Sequence, residues 1–179
     1  MRNLLLLPLL AIAMPAAAQD LPAGMTPGPV FPFGPVAKVE SDMPIPDGTE
    51  FNVAFDLTEA APDGQANRGL VSLARFYNMH VRSGVPEGSI RLAVVVHGGA
   101  GVDVLTSDAY AKRKNGTESA NAAIVSALVE KGVRVILCGQ SAAAMGIARE
   151  ELLPGVEMAL SAMTAHALLQ QQGYTLNPF

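Results

Sequence analysis

Residues 91–101 read RLAVVVHGGAG and residues 133–141 read VRVILCGQS. Each is an unbroken apolar run that stops at glycine. A strand with one wet face alternates; a continuous run marks a strand buried on both faces of a parallel sheet. Helical spacing surrounds them. Leu70, Leu73, Ala74, Tyr77 and Val81 form one stripe, which Gly84 stops. Asn121 caps a second, with Ile124, Val125, Leu128 and Val129 on its apolar face and Gly132 at its end. Ser141 caps a short helix through Met145, and Ser161 or Thr164 opens a last one that Gly173 stops. Phe51–Leu57, Val156–Leu160 and Tyr174–Leu176 read as further strands, and Lys112-Arg113-Lys114-Asn115-Gly116 as a solvated polar loop. Strand alternates with helix throughout, so the class is α/β with a mainly parallel sheet of about five strands. The strand order does not follow from the sequence.

The chain has 179 residues, 50% apolar, with 12 basic and 16 acidic side chains. A net charge of −4 gives no reason to expect nucleic acid as a partner. One cysteine excludes an intrachain disulfide, and the Cys/His spacings of a structural zinc are absent, so no metal and no cofactor are expected.

The first residues predict a secretory signal peptide over 1–18. A short basic start precedes an apolar stretch from Leu4 to Met14, and Ala16-Ala17-Ala18 supplies the small-residue cleavage site. Cleavage between Ala18 and Gln19 would leave a periplasmic or secreted protein with no membrane span. Residues 19–50 hold seven of the 13 prolines and read as an extended arm or a linker. Val30, Phe31, Phe33 and Val36 offer it an apolar grip on the domain or on a neighbouring subunit. The compact domain is then 51–179.

Chemistry in open α/β sheets gathers beyond the carboxyl ends of the strands. Two such ends carry polar residues: His97-Gly98-Gly99 and Cys138-Gly139-Gln140-Ser141. An unpaired cysteine in an exported chain is buried and inert, intermolecular, or reactive. The place of Cys138, just before a helix start, favours the thiolate, which is the nucleophile. Gly98, Gly99, Gly139 and Gln140 offer N–H or amide donors to an anionic sulfur, and His97 a group to steer or protonate. His80 and His166 read as partly exposed helix residues; Met145, Met158 and Met163 read as core. Two other readings use the same residues. In one, His97-Gly98-Gly99 is an oxyanion loop and Ser141 the nucleophile of a serine hydrolase, although the last elbow glycine is alanine and His166 is the sole histidine after Ser141. In the other, Cys138 only packs, and the protein is a non-enzymatic binding or assembly module.

The stretches VVVHGGAGVDVL, the Asn-Ala-Ala-Ile helix start that follows, VILCGQSAAAMGI and ELLPGVEMALSAMTAHALLQQQGY, in this order and spacing, resemble the DsrE/DsrF-like family. The resemblance covers 51–179. It implies a three-layer α/β/α fold, a homo-oligomer, and a sulfur relay in which one cysteine, here Cys138, accepts sulfane sulfur as a persulfide from a donor protein and passes it to an acceptor. The relay members are cytoplasmic, whereas this chain opens with an export signal.

Overall fold

The structure, a computed structural model, describes residues 21–177. The expected signal peptide and its cleavage point lie outside the described residues. Five strands, β1 (Phe51–Leu57), β2 (Ile90–Val96), β3 (Arg134–Cys138), β4 (Val156–Ala159) and β5 (Thr175–Asn177), form one sheet in the order β4-β3-β2-β1-β5. Every strand pairing in it is parallel. The helices are α1 (Arg68–Arg82), α2 (Ser107–Arg113), α3 (Ala122–Glu130), α4 (Gly139–Met145) and α5 (Ala162–Gln171).

The continuous apolar strands serve two cores. Val53, Phe55, Leu92, Val94, Val96, Val135 and Leu137 face α1, α3 and α4, burying Leu70, Leu73, Ile124, Val125, Leu128 and Ala142. The alternate residues Ala54, Ala93, Val95 and Ile136 face α5 and bury Ala165 and Leu169. The result is the three-layer α/β/α arrangement. From β1 to β4 the strands step one way across the sheet, with α1, α3 and α4 on one face. β5 steps back past β1, and a right-handed crossover then requires α5 to lie on the other face.

Four local expectations are corrected. The polar segment around Lys112 is not a loop throughout, because α2 runs to Arg113, capped by Thr106. Arg113 pairs with Glu151 at 2.8 Å and Lys114 with Asp63 at 2.7 Å, so these cations are tied down. Met163 is 80% exposed rather than core. The short helix starts at Gly139, with Cys138 and not Ser141 as its N-cap. Asn121 precedes α3, but its side chain makes no capping bond.

The turn over 26–36 packs on α1, whereas most of 38–50 is exposed. Thr26 and Val36 form an antiparallel bridge, and Phe31 and Val36 are buried. The buried Asn78 of α1 holds this turn with every donor and acceptor used. Its Oδ1 accepts from the N–H groups of Val30 and Phe31, and its Nδ2 donates to the carbonyls of Phe31 and Gly34.

A second buried polar cluster ties the loops at the carboxyl edge of the sheet. Asp103 lies in the 3-10 turn Gly98–Val104 and has no exposed surface. Its Oδ2 accepts from Ala61 N–H at 2.8 Å and from Asn67 Nδ2 at 2.7 Å, and its Oδ1 from Asn121 Nδ2 at 3.0 Å. Asn121 Oδ1 in turn accepts from Asn67 N–H, which is why Asn121 cannot cap its own helix. Burial pushes the Asp103 carboxyl above its ordinary pKa despite these donors. Because all three partners are donors, Asp103→Asn would set an amide NH2 against one of them. Rotating Asn121 to relieve it would break the Asn67 bond. Asp103→Asn and Asp103→Ala should therefore each cost roughly 2 kcal/mol in denaturant unfolding. An Asn variant as stable as the unmodified chain would refute this account.

Candidate active site

Cys138 is the last residue of β3. Arg134, Ile136 and Cys138 alternate with Val135 and Leu137, so the sulfur lies on the α5 side of the sheet. The adjacent strands β3 and β4 send their following helices to opposite faces, α4 to one and α5 to the other. Such a divergence opens a crevice at the strand ends, the usual place for a site in this class. The backbones approach closely there. A Cβ on Gly139 would stand 2.7 Å from the Ala159 carbonyl oxygen, so only glycine fits.

Cys138 is 5% exposed. Burial alone pushes its thiol pKa up. Hydrogen bonds from the Ser141 hydroxyl and from the N–H groups of Ser141, Ala162 and Gln140 outweigh burial and hold the thiol below its ordinary value. The Ser141 N–H lies 3.5 Å from the sulfur. The donors come from the starts of both α4 and α5, so two elements that leave the sheet in opposite directions converge on one atom.

The Ser141 hydroxyl is itself oriented. Its oxygen accepts from the Gly98 N–H at 3.0 Å. Gly98 has φ +54°, and a Cβ there would stand 3.1 Å from Thr58. His97 does not hydrogen-bond Cys138. Its Nε2 lies 3.1 Å from both oxygens of Asp56 and 3.1 Å from the Thr58 hydroxyl. His166 Nε2 reaches the same carboxylate at 2.7 Å. Burial raises the Asp56 pKa, but the hydrogen bonds and charges of His166 and His97 win and lower it. An ionised carboxylate only accepts, so both Nε2 atoms carry their proton. His166 Nδ1 is then a buried nitrogen with no hydrogen-bond partner among the described residues.

The structure thus brings together Cys138, Ser141, Gly98 and the N–H of Gln140. The Gln140 side-chain amide donates instead to the Leu160 carbonyl, at 3.3 Å. Gly139 serves the close approach of the chains, and Gly99 stands against Ala60, whose N a Cβ would meet at 3.6 Å. Neither His97 nor His166 bonds Ser141, whose hydroxyl partners are Gly98 and Cys138. Sequence reasoning missed Asp56 and the role of His166. The signal was present: Asp56 shares its strand face with the buried Ala54, where an acid needs partners. Among the described residues no group of three His, Cys, Asp or Glu is placed to hold a metal ion, and no helix is long and apolar enough to cross a membrane.

The DsrE/DsrF-like family model matches residues 52–178. No curated protein matches the chain. Among solved structures, the protein of unknown function MTH1491 from Methanobacterium thermoautotrophicum is 25% identical, with a TM-score of 0.51 over 73% of this chain and 100% of that one. The ychN protein from E. coli is 18% identical, with a TM-score of 0.53 over 72% of this chain and 99% of its own, and shares the fold.

The shared carboxylate has a pH signature. A depressed carboxyl stabilises the fold above its unfolded value of about 3.9, and the contribution is lost as pH falls through the lower folded value. Asp56 is 34% exposed, so solvent screens its pairs. Asp56→Asn should cost about 1 kcal/mol at pH 7. In urea melts, the gap to the unmodified chain should shrink as pH falls below about 4. A gap independent of pH would show that the carboxylate charge contributes nothing.

Proposed function

We propose that this chain, which belongs to the DsrE/DsrF-like family, carries sulfane sulfur on Cys138. The observation that carries the reading is the place of the sulfur, which caps the start of α4 and accepts the Ser141 N–H at 3.5 Å; donors from Ser141, Ala162 and Gln140 hold the thiol below its ordinary value against the opposing effect of burial. Donors of this kind favour an anion, either the thiolate or the terminal sulfur of a persulfide. The Cys138 thiolate attacks the outer sulfur of a donor persulfide. The donor S–S bond breaks, the donor leaves as thiolate, and Cys138 holds S–S⁻. An acceptor thiolate then attacks that outer sulfur and Cys138 leaves as thiolate. Electrons balance at each exchange and no metal is needed. Gln140, Ser141 and Ala162 hold the charge at the sulfur, while His97, Gly98 and Asp56 support Ser141.

A second reading is a binding or assembly module in which Cys138 packs. The 5% exposure of Cys138 favours it, as do the exposed Leu160, Met163 and Leu168 beside or on α5. Incubation with polysulfide separates the two. The native chain should gain about 32 Da, one sulfur atom, lost again with reductant. Cys138→Ser should fold and gain nothing. If Cys138 takes neither sulfur nor iodoacetamide until the chain is unfolded, the packing reading replaces the carrier.

Export and self-association belong to the same proposal. The leader-like pattern read over 1–18 supports the first, and the exposed apolar side chains around α5 support the second. Material recovered outside the cytoplasm should begin at Gln19 and scatter light as more than one subunit. An intact Met1 would overturn export, and a clean monomer would overturn assembly.

A further inference from the structure

Five groups stand in line along the carboxyl edge of the sheet. The Asp56 carboxylate holds His97 Nε2 at 3.1 Å through both oxygens, with the Thr58 hydroxyl 3.1 Å from the same nitrogen. Backbone bonds pin the segment on either side of Gly98: His97 N–H donates to Leu57 O at 2.9 Å, and Ala100 N–H to Thr58 O at 3.0 Å. The Gly98 N–H is thereby aimed at Ser141 Oγ, 3.0 Å away. With that lone pair occupied, the hydroxyl proton is free to point at the Cys138 sulfur, which lies beside this residue and accepts its N–H at 3.5 Å. We propose that Asp56 and His97 are positioning residues for Cys138: they fix the turn whose Gly98 N–H orients the Ser141 hydroxyl onto the sulfur. The proposal rests on the reading of Cys138 as a working thiolate, and it adds residues that never touch the sulfur.

The charged or titratable groups on this face of the sheet are His97, Asp56 and His166 at the carboxyl edge, Arg134 and Glu157, and Arg91 paired with Glu50 at the opposite end. Arg134 and Glu157 satisfy each other at 2.8 Å, four residues and two residues before the carboxyl ends of β3 and β4 respectively. Their state does not change in the variants below. The remaining charges make the sign of the effect decisive. Asp56 is negative, so its removal by itself would favour a nearby thiolate and lower the thiol pKa. Loss of positioning does the opposite, because the sulfur loses an oriented donor.

The test is the ultraviolet absorbance of the thiolate against pH in the full chain, with Cys138→Ser subtracting the tyrosines. Ser141→Ala and Asp56→Asn should each raise the midpoint by about one pH unit, the equivalent of one donor to an anion. The double variant should rise no further than the larger single change, because both act along one line. Ser141→Thr, which keeps the hydroxyl, should retain the unmodified midpoint. If Asp56→Asn fails to fold, His97→Ala breaks the same link and should raise the midpoint too. A midpoint that stays put or falls on loss of the Asp56–His97 pair overturns the proposal. Sulfur loading is measured separately by mass, so a chain that takes no sulfur but shifts its midpoint as described defeats the carrier reading and leaves the positioning intact.

Discussion

The buried carboxylate of Asp103 is the constraint on which the carboxyl edge of the sheet depends. It gathers donors from the segment after β1, through Ala61 and Asn67, and from the residue before α3, through Asn121. Asp103 itself lies in the turn that begins at Gly98. One side chain therefore fixes the relative height of three connections. A buried ionisable group is costly, and its cost is offset only when each lone pair has a well-placed donor. Here the donors are two asparagine amides and a backbone N–H, none of which can be exchanged without stranding another. That interlock holds the far end of the turn Gly98–Val104, and the bonds around His97 hold its near end, from which Gly98 reaches Ser141.

The sulfur lies where two opposing effects are both large. Desolvation disfavours the thiolate, and convergent donors favour it. The topology decides the balance. Because β4 is followed by a crossover on the opposite face from the one that follows β3, the starts of α4 and α5 meet over the end of one strand. A fold with both helices on one face would supply donors from a single helix start. The same divergence forces the chains together, and Gly139 answers it with a missing Cβ.

The large features were legible because they follow from periodicity. The unbroken run 92–96 predicted a strand buried on both faces, and Val94 and Val95 are buried in different cores. The stripe at Leu70, Leu73, Ala74 and Tyr77 predicted the buried face of α1, and all four are buried. What escaped was set by tertiary partners. Asn121 reads as a cap because asparagine caps helices well, but Asp103 and Asn67 claim its side chain. Met163 sits among apolar neighbours in sequence, yet α5 turns its buried face to the sheet through Ala165 and Leu169 and points Met163 outward. Asp56 shows in the sequence as an acid on the strand face of Ala54 that needs partners, but the partners themselves are histidines 41 and 110 positions away.

The two faces of the sheet are covered unequally, and the site is on the thinner side. One face carries α1, α3 and α4, and the turn around Phe31 thickens it further by closing over α1 through Asn78. The other face carries α5 alone over a small core of Ala54, Ala93, Val95 and Ile136. The small residues Ala54 and Ala93 let α5 sit close, which brings His166 within reach of Asp56 and the Ala162 N–H within reach of Cys138. A thicker second layer would have room for larger side chains and would hold α5 further from the strands. Thin cover and the donation from α5 to the sulfur thus have one origin: the helix start can approach Cys138 because little lies beneath.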